Sequence, residues 1–499
     1  MFRLYDTRTR QVQAIEPARG GLLRMYSCGP TVYRHAHVGN LRTYLLADLI
    51  RRNAEHRHHL AVLACQNITD VGHLADDGAT SGPAANGPAS NGPGGEEDKV
   101  LAQARAEGRT ALEVARFYED AFRADCSALN LRPAEHSPRA SDWIGLMIDM
   151  IAGLIEAGHA YPTPDGSVYF DARSFPSYGE LSGNRLADLR PARSRQGHRV
   201  GEGGTGAAGG TGAAGSAQKR FHADWALWKG APADRELTWP APWGTGFPGW
   251  HTECSALSRH YLGDVIDIHT GAIDLRFPHH EDERAESNSV TGHEVVRHWV
   301  HGEHLLVDGR KMAKSSQNVV LVADLADRGL DPLALRLAFL EHRYRQQMNL
   351  TWDTLDAADR TLRRWRELVA EWACSPSKPV HGPAAAQIAA AFDDDLDTPA
   401  ALRALRLLEK DRNVPPGSKF ESFAHADQLL GLDLARDIGR APAEPPLPDG
   451  ARPRLAARQA ARAARDWAAA DRLRDELAAL GVAVTDTADG QAWTVRPGG

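Results

Sequence analysis

Short apolar blocks alternate with polar turns over the first quarter of the chain. The block around Leu22-Leu23-Arg24-Met25-Tyr26 is followed by a polar turn, and then by Leu41, Leu45, Leu46, Leu49 and Ile50 at helical spacing. That order predicts a strand, a turn and a helix start. A second apolar run, Leu60-Ala-Val-Leu-Ala64, leads into the polar string Asn67-Ile-Thr-Asp70. It reads as a buried parallel strand with a polar, ligand-facing end. Residues from Val100 to Leu129 read as helix, and those around Gly158–Tyr161 and Gly166–Asp171 as strand and turn. The strand–helix alternation returns near Gly249 and runs to about Val300. From Pro332 to about Leu434 the pattern is helical. Leu355, Leu362, Trp365, Val369 and Trp372 form one buried stripe, and Thr398-Pro399 reads as N-cap and first turn of a further helix.

These elements predict an α/β chain whose nucleotide-binding fold is split by an insertion. We expect a Rossmann-like domain from residues 1–130 and 245–300, a connective insertion over 131–244, and a stretch 301–335 carrying a basic loop. A helical bundle over 336–440 and a small terminal module over 445–499 complete the expected order. Two low-complexity tracts, 78–95 and 201–216, are rich in Gly, Ala, Pro and Ser and read as flexible insertions. With 499 residues, 42% of them hydrophobic, the chain can build several cores. A formal net charge of −7 excludes a general basic coat, so indiscriminate DNA binding is not expected and any RNA contact must be local. No apolar run is long enough to span a membrane. Five scattered cysteines suit a reducing cytoplasm better than a disulfide framework.

Two strings carry the chemistry. His37-Val-Gly-Asn40 lies at the predicted strand–turn–helix, where free N–H groups and the helix dipole can hold a phosphate chain. Lys311-Met-Ala-Lys-Ser315 places two lysines on a polar loop. The pair resembles the HIGH and KMSKS signatures of class I aminoacyl-tRNA synthetases. Within that class, Cys28-Gly-Pro-Thr-Val-Tyr33, Asn67-Ile-Thr-Asp70, Gly249-Trp-His-Thr-Glu-Cys-Ser255, Asp267-Ile-His269 and Phe277-Pro-His-His-Glu-Asp-Glu283 resemble the cysteinyl-tRNA synthetase family. Asn40 stands where the first signature often has a second His, and Ala313 where the second has a Ser.

The resemblance implies ATP-dependent activation of L-cysteine, with Mg²⁺ accompanying ATP, and transfer to tRNA(Cys). It implies His37, Gly39, Asn40, Lys311 and Lys314 at the ATP, and Gly29, Thr69, Trp250 and His269 at the cysteine. One Zn²⁺ per chain is implied on Cys28, Cys254, His279 and Glu283. His279 and Glu283 are four residues apart and would share a helix face. The family reading has the substrate thiolate join that metal or displace Glu283, its weakest ligand, which would separate cysteine from serine. Cys65, Cys126 and Cys374 are assigned to packing.

Arg454, Arg458, Arg462 and Arg465 fall on one predicted helix face and are candidate RNA contacts. Asp486-Thr487, Gly490 and Trp493 resemble the family's anticodon-binding end. A monomer in the cytoplasm is expected. Two other functions fit parts of the pattern: a cysteine:amino-sugar ligase of mycothiol synthesis, and a noncatalytic RNA-binding paralogue permitted by Asn40 and Ala313.

Overall fold

The computed structural model describes residues 2–72, 80–81, 98–191, 219–231, 235–312, 318–440, 447–487 and 490–495. The tract 201–216, nearly all of 78–95, and Ala313 and Lys314 lie outside the described residues. The chain forms two compact units, Met1–Arg436 and Asp437–Gly499.

The first unit is organised on a four-stranded parallel sheet. The strands Leu22–Ser27 and Ala61–Gln66 pair in parallel, as do Leu22–Ser27 with Ile266–Ala272, and Ile266–Ala272 with Val296–Gly302. Leu22–Ser27 and Ile266–Ala272 are thus the central neighbours, and their following connections run to opposite edges. Ligands of open α/β sheets bind at the carboxyl ends of strands beside such a switch point. Cys28 follows the first of these strands directly.

The expected insertion contributes three strands of an antiparallel sheet, Ala160–Pro162, Val168–Phe170 and Trp225–Gly230, and the fourth strand, Gly246–Pro248, lies just past its expected end at 244. The expected helix over residues 100–129 is two helices, Lys99–Glu107 and Ala111–Ala128. Gly108 ends the first in the left-handed region at φ 65°, and Thr110 starts the second in a capping box with Glu113. The helix expected to begin at Thr398 does so, but Asp397 caps it by accepting the Ala400 N–H at 3.1 Å. All five residues of the predicted stripe are buried on the helix Trp352–Trp372.

A buried charged joint ties the helix Val38–His58 to the helical region. Asp48 Oδ2 accepts from Arg52 Nε at 2.7 Å and from Arg336 Nη2 at 2.6 Å. Arg336, fully buried, also donates to the carbonyls of Leu129, Asn130 and Leu430. Gly431 makes room for it: a Cβ there would lie 2.6 Å from Arg336 Nη2, and φ is +65°.

The second unit packs two helices, Ala451–Ala463 and Trp467–Ala479, with a hairpin of Val482–Thr487 and Gly490–Val495.

Candidate functional site

A cavity of about 450 Å³ opens at the carboxyl ends of the parallel strands. One end is lined by Cys28, Thr69, Trp250, Cys254 and His279, the other by His37, Gly39, Asn40, Lys311 and Met312.

Two helices build the sulfur end. Gly249 caps Trp250–Leu262, and Pro278 precedes His279–Thr291. Trp250 and Cys254 are one helical turn apart, as are His279 and Glu283, so each helix offers two groups on one face. Trp250 stacks on the His279 ring with centroids 3.6 Å apart. Cys28 Sγ lies 3.8 Å from Cys254 Sγ, 3.5 Å from His279 Nε2 and 3.3 Å from Glu283 Oε1. One donor atom from each of the four residues falls within 4.8 Å of all the others, and all four side chains are buried. Two thiols, an imidazole and a carboxylate are the donor set zinc accepts. Burial pushes the Cys254 thiol up to about 11 and holds the His279 imidazole down to about 3, so the ring is neutral and its Nε2 can ligate. His279 Nδ1 lies 3.0 Å from His251 Nδ1, which fixes the ring from behind. A second group, Cys28, His269, His280 and Glu283, meets the same distance limit but holds only one thiol.

The opposite end is the start of the helix Val38–His58. His37 is its N-cap: the Asn40 N–H donates to His37 Nδ1 at 3.2 Å, and the His37 N–H donates to Asn40 Oδ1 at 3.2 Å. Burial, with Arg34 nearby, holds the His37 imidazole down to about 4. A neutral ring that accepts at Nδ1 carries its proton on Nε2, which leaves a donor for a phosphate oxygen. Arg42, also buried, donates to four backbone carbonyls, of Glu303, His304, Arg343 and Gln346. It fixes the wall at Gly302–Leu305, which lines the cavity.

A family model described as the tRNA synthetases class I (C) catalytic domain matches residues 14–77 and 95–360. One described as the cysteinyl-tRNA ligase anticodon binding domain matches residues 444–493. A cysteine--tRNA ligase of Opitutus terrae is 40% identical over 496 residues, covering 98% of each chain. The chain belongs to the cysteine--tRNA ligase family. Another member, from Thermus thermophilus, is 38% identical over 512 residues and 99% of each chain. Among solved structures, the LeuRS of an Agrobacterium radiobacter LeuRS-tRNA-LeuAMS ternary complex shares the fold at TM-score 0.57 and 12% identity, covering 84% of each chain.

Within this cysteine--tRNA ligase family chain, several expected roles take a different physical form. Gly29 is required by its own backbone, since a Cβ there would meet the Asn67 carbonyl oxygen at 1.5 Å. Gly39 makes room for Met312, whose Cε would lie 2.6 Å from an added Cβ. The Thr69 hydroxyl donates to Glu253 at 2.9 Å, and Asn67 Nδ2 donates to it at 3.0 Å. His269, expected beside the cysteine, lies behind the sulfur cluster instead: it is buried, 3.4 Å from Cys28 Sγ and stacked on Trp299. Cys374, expected to pack, is exposed.

The terminal arginines are mostly engaged within their unit. Arg458 is buried and paired with Asp486 at 3.0 Å, which corrects its expected RNA contact. Arg454 pairs with Glu476 and Arg462 with Asp486. Arg465 falls past the helix end in a left-handed turn at φ 60°. Trp467, which the sequence pattern does not single out, is 55% exposed with the Arg462 guanidinium 5.5 Å from its ring. His251 and Glu253 were also missed, although both lie inside the motif around Cys254.

Proposed function

We propose that this chain is a cysteine:tRNA ligase that activates L-cysteine with ATP and passes it to the 3′ end of tRNA(Cys). The carrying observation is one cavity with a two-thiol donor quartet at one end and the His37 helix start at the other. In the first step the cysteine carboxylate attacks the α-phosphorus and pyrophosphate leaves. His37 Nε2–H, the helix start at Gly39 and Asn40, and Lys311 and Lys314 hold the phosphates, where charge grows in the transition state. Gly39 contributes by keeping the backbone low, and Mg²⁺ accompanies the nucleotide.

Gly29, Thr69 and Trp250 shape the cysteine end, and His269 supports it from behind. Cys28, Cys254, His279 and Glu283 would hold one Zn²⁺. When bound, that ion supplies a soft cation for which a thiolate is a far better ligand than a hydroxyl. In the second step a tRNA ribose hydroxyl attacks the adenylate carbonyl, and no protein nucleophile is needed. The match to an anticodon-binding domain favours tRNA over an amino sugar as the acceptor.

We place the catalytic domain at 1–130 with 245–300, the insertion at 131–244, the basic-loop region at 301–335, the bundle at 336–440 and the RNA module at 445–499. The active unit is a cytoplasmic monomer. No helix among the described residues is long and apolar enough to cross a membrane. Pyrophosphate exchange with each of the twenty amino acids, with zinc quantified in the same sample, tests the reading. Exchange with cysteine alone and near one zinc per chain are expected; absence of cysteine-dependent exchange from folded, zinc-loaded protein would leave the noncatalytic paralogue.

Exposed Trp467 beside Arg462 offers a flat face on which an RNA base can stack. Trp467→Ala is expected to lower charging efficiency by about tenfold and to leave cysteine-dependent exchange unchanged. Equal charging of tRNA by both proteins would remove Trp467 from the RNA face.

A further inference from the structure

We infer that Phe117 and His35 form a stacking ledge at the cavity mouth that receives the unpaired 3′ end of the tRNA. The inference rests on the tRNA-charging reading above. Phe117 lies on the helix Ala111–Ala128, whose buried face is Ala111, Val114, Ala115, Tyr118 and Phe122. Phe117 is off that face and 46% exposed, so packing of the helix does not account for it.

Its ring is nevertheless held in place. The Tyr118 ring meets it edge-on at 5.0 Å and the His35 ring at 5.9 Å. His35 and Tyr118 also meet edge-on, with centroids 5.2 Å apart. The Arg109 guanidinium lies 5.1 Å from the Phe117 centroid. Arg109 is tethered there by Glu107 at 3.4 Å and by the Glu113 carbonyl at 3.1 Å. His35 and Tyr118 line the cavity, as does Arg34. The exposed Phe117 ring thus adjoins two rings that line the chamber, with Arg109 over Phe117 and Arg34 5.0 Å from the ring of Tyr33, another lining residue.

The chemistry names what crosses this mouth. An acceptor ribose must reach an acyl group held at the sulfur end, and a paired RNA helix is too wide to enter the chamber. Only unpaired terminal nucleotides can make the journey. Every base has a π-face, so stacking on Phe and His accepts any sequence, while the arginines suit the phosphates between bases. The exposed ring has no part in binding ATP or cysteine by this account, which separates its role from the first half-reaction.

Phe117→Ala and Phe117→Trp are to be measured in two assays on the full-length protein: cysteine-dependent pyrophosphate exchange and charging of tRNA(Cys). For Phe117→Ala, the KM for tRNA is expected to rise about tenfold, while exchange stays within about twofold of the parent. Phe117→Trp is expected to restore the tRNA KM. The ledge is overturned if Phe117→Ala charges tRNA as the parent does, if exchange falls in step with charging, or if tryptophan fails to restore it. A parent protein without cysteine-dependent exchange would instead overturn the function on which the ledge rests.

Discussion

Cys254→Ser is expected to yield a folded protein that binds little zinc and activates cysteine slower by ~100-fold or more, since even residues behind the metal ligands are worth 10–100-fold. The side chain is 2% exposed and faces Cys28, His279 and Glu283 from its own helical turn. Serine fits the space. Its hydroxyl, however, does not ionise near neutral pH and is a hard donor, so the quartet keeps one thiol of two. Metal content by mass spectrometry and cysteine-dependent exchange check the outcome together, and full zinc with full exchange would reject Cys254 as a ligand. Burial pushes the thiols of both Cys28 and Cys254 up. Zinc uptake by metal-free parent protein should therefore release protons and weaken as pH falls, which a titration in weakly buffered solution reads directly.

Arg336→Met should lower the stability of the first unit by about 3–5 kcal/mol. Removing one partner strands buried Asp48 with Arg52 alone and takes the Arg336 donor from the carbonyls of Leu129 and Leu430, while the Asn130 carbonyl keeps Arg52 Nη2 at 2.9 Å. Burial pushes the Asp48 carboxyl up, but Arg336 and Arg52 outweigh it and hold the group below the usual carboxylate range. A depressed folded pKa gives stability that is present above the ordinary carboxylate range and is lost as pH falls through the folded value. In the variant that acid loss should begin at higher pH. Urea midpoints at neutral and acid pH measure both effects, and an unchanged neutral midpoint would show that the joint contributes nothing.

The parallel sheet was legible because its strands are short apolar runs with polar ends, and the helical stripe from Leu355 to Trp372 because its period admits one reading. The break at Gly108 is masked by an apolar pattern that continues across it, although the glycine and the Thr110-x-x-Glu113 box that follows carry its signal in the sequence. No local spacing joins Cys28 to Cys254. Their meeting is a product of parallel pairing between strands far apart in sequence, so residue patterns alone could not have found it. Asn40 stands where the first motif often has His, and the sequence places it at the ATP with only a modest effect expected of the change. In place it is the reciprocal cap that holds the His37 tautomer, a role visible only once the helix start is built. The arginine row misled because helical spacing describes where side chains begin, whereas Arg458 turns inward to Asp486.

The donor quartet takes one member from before the insertion and three from after it. During translation Cys28 emerges first and waits, unpartnered by its fellow ligands, until the residues around Glu283 have left the ribosome. Capture of an ion by all four residues would thus be a late event in the birth of the chain. Such an ion would register that the two halves of the nucleotide-binding sheet have closed on each other, and a nascent chain truncated before Cys254 would offer it only one of the four donors.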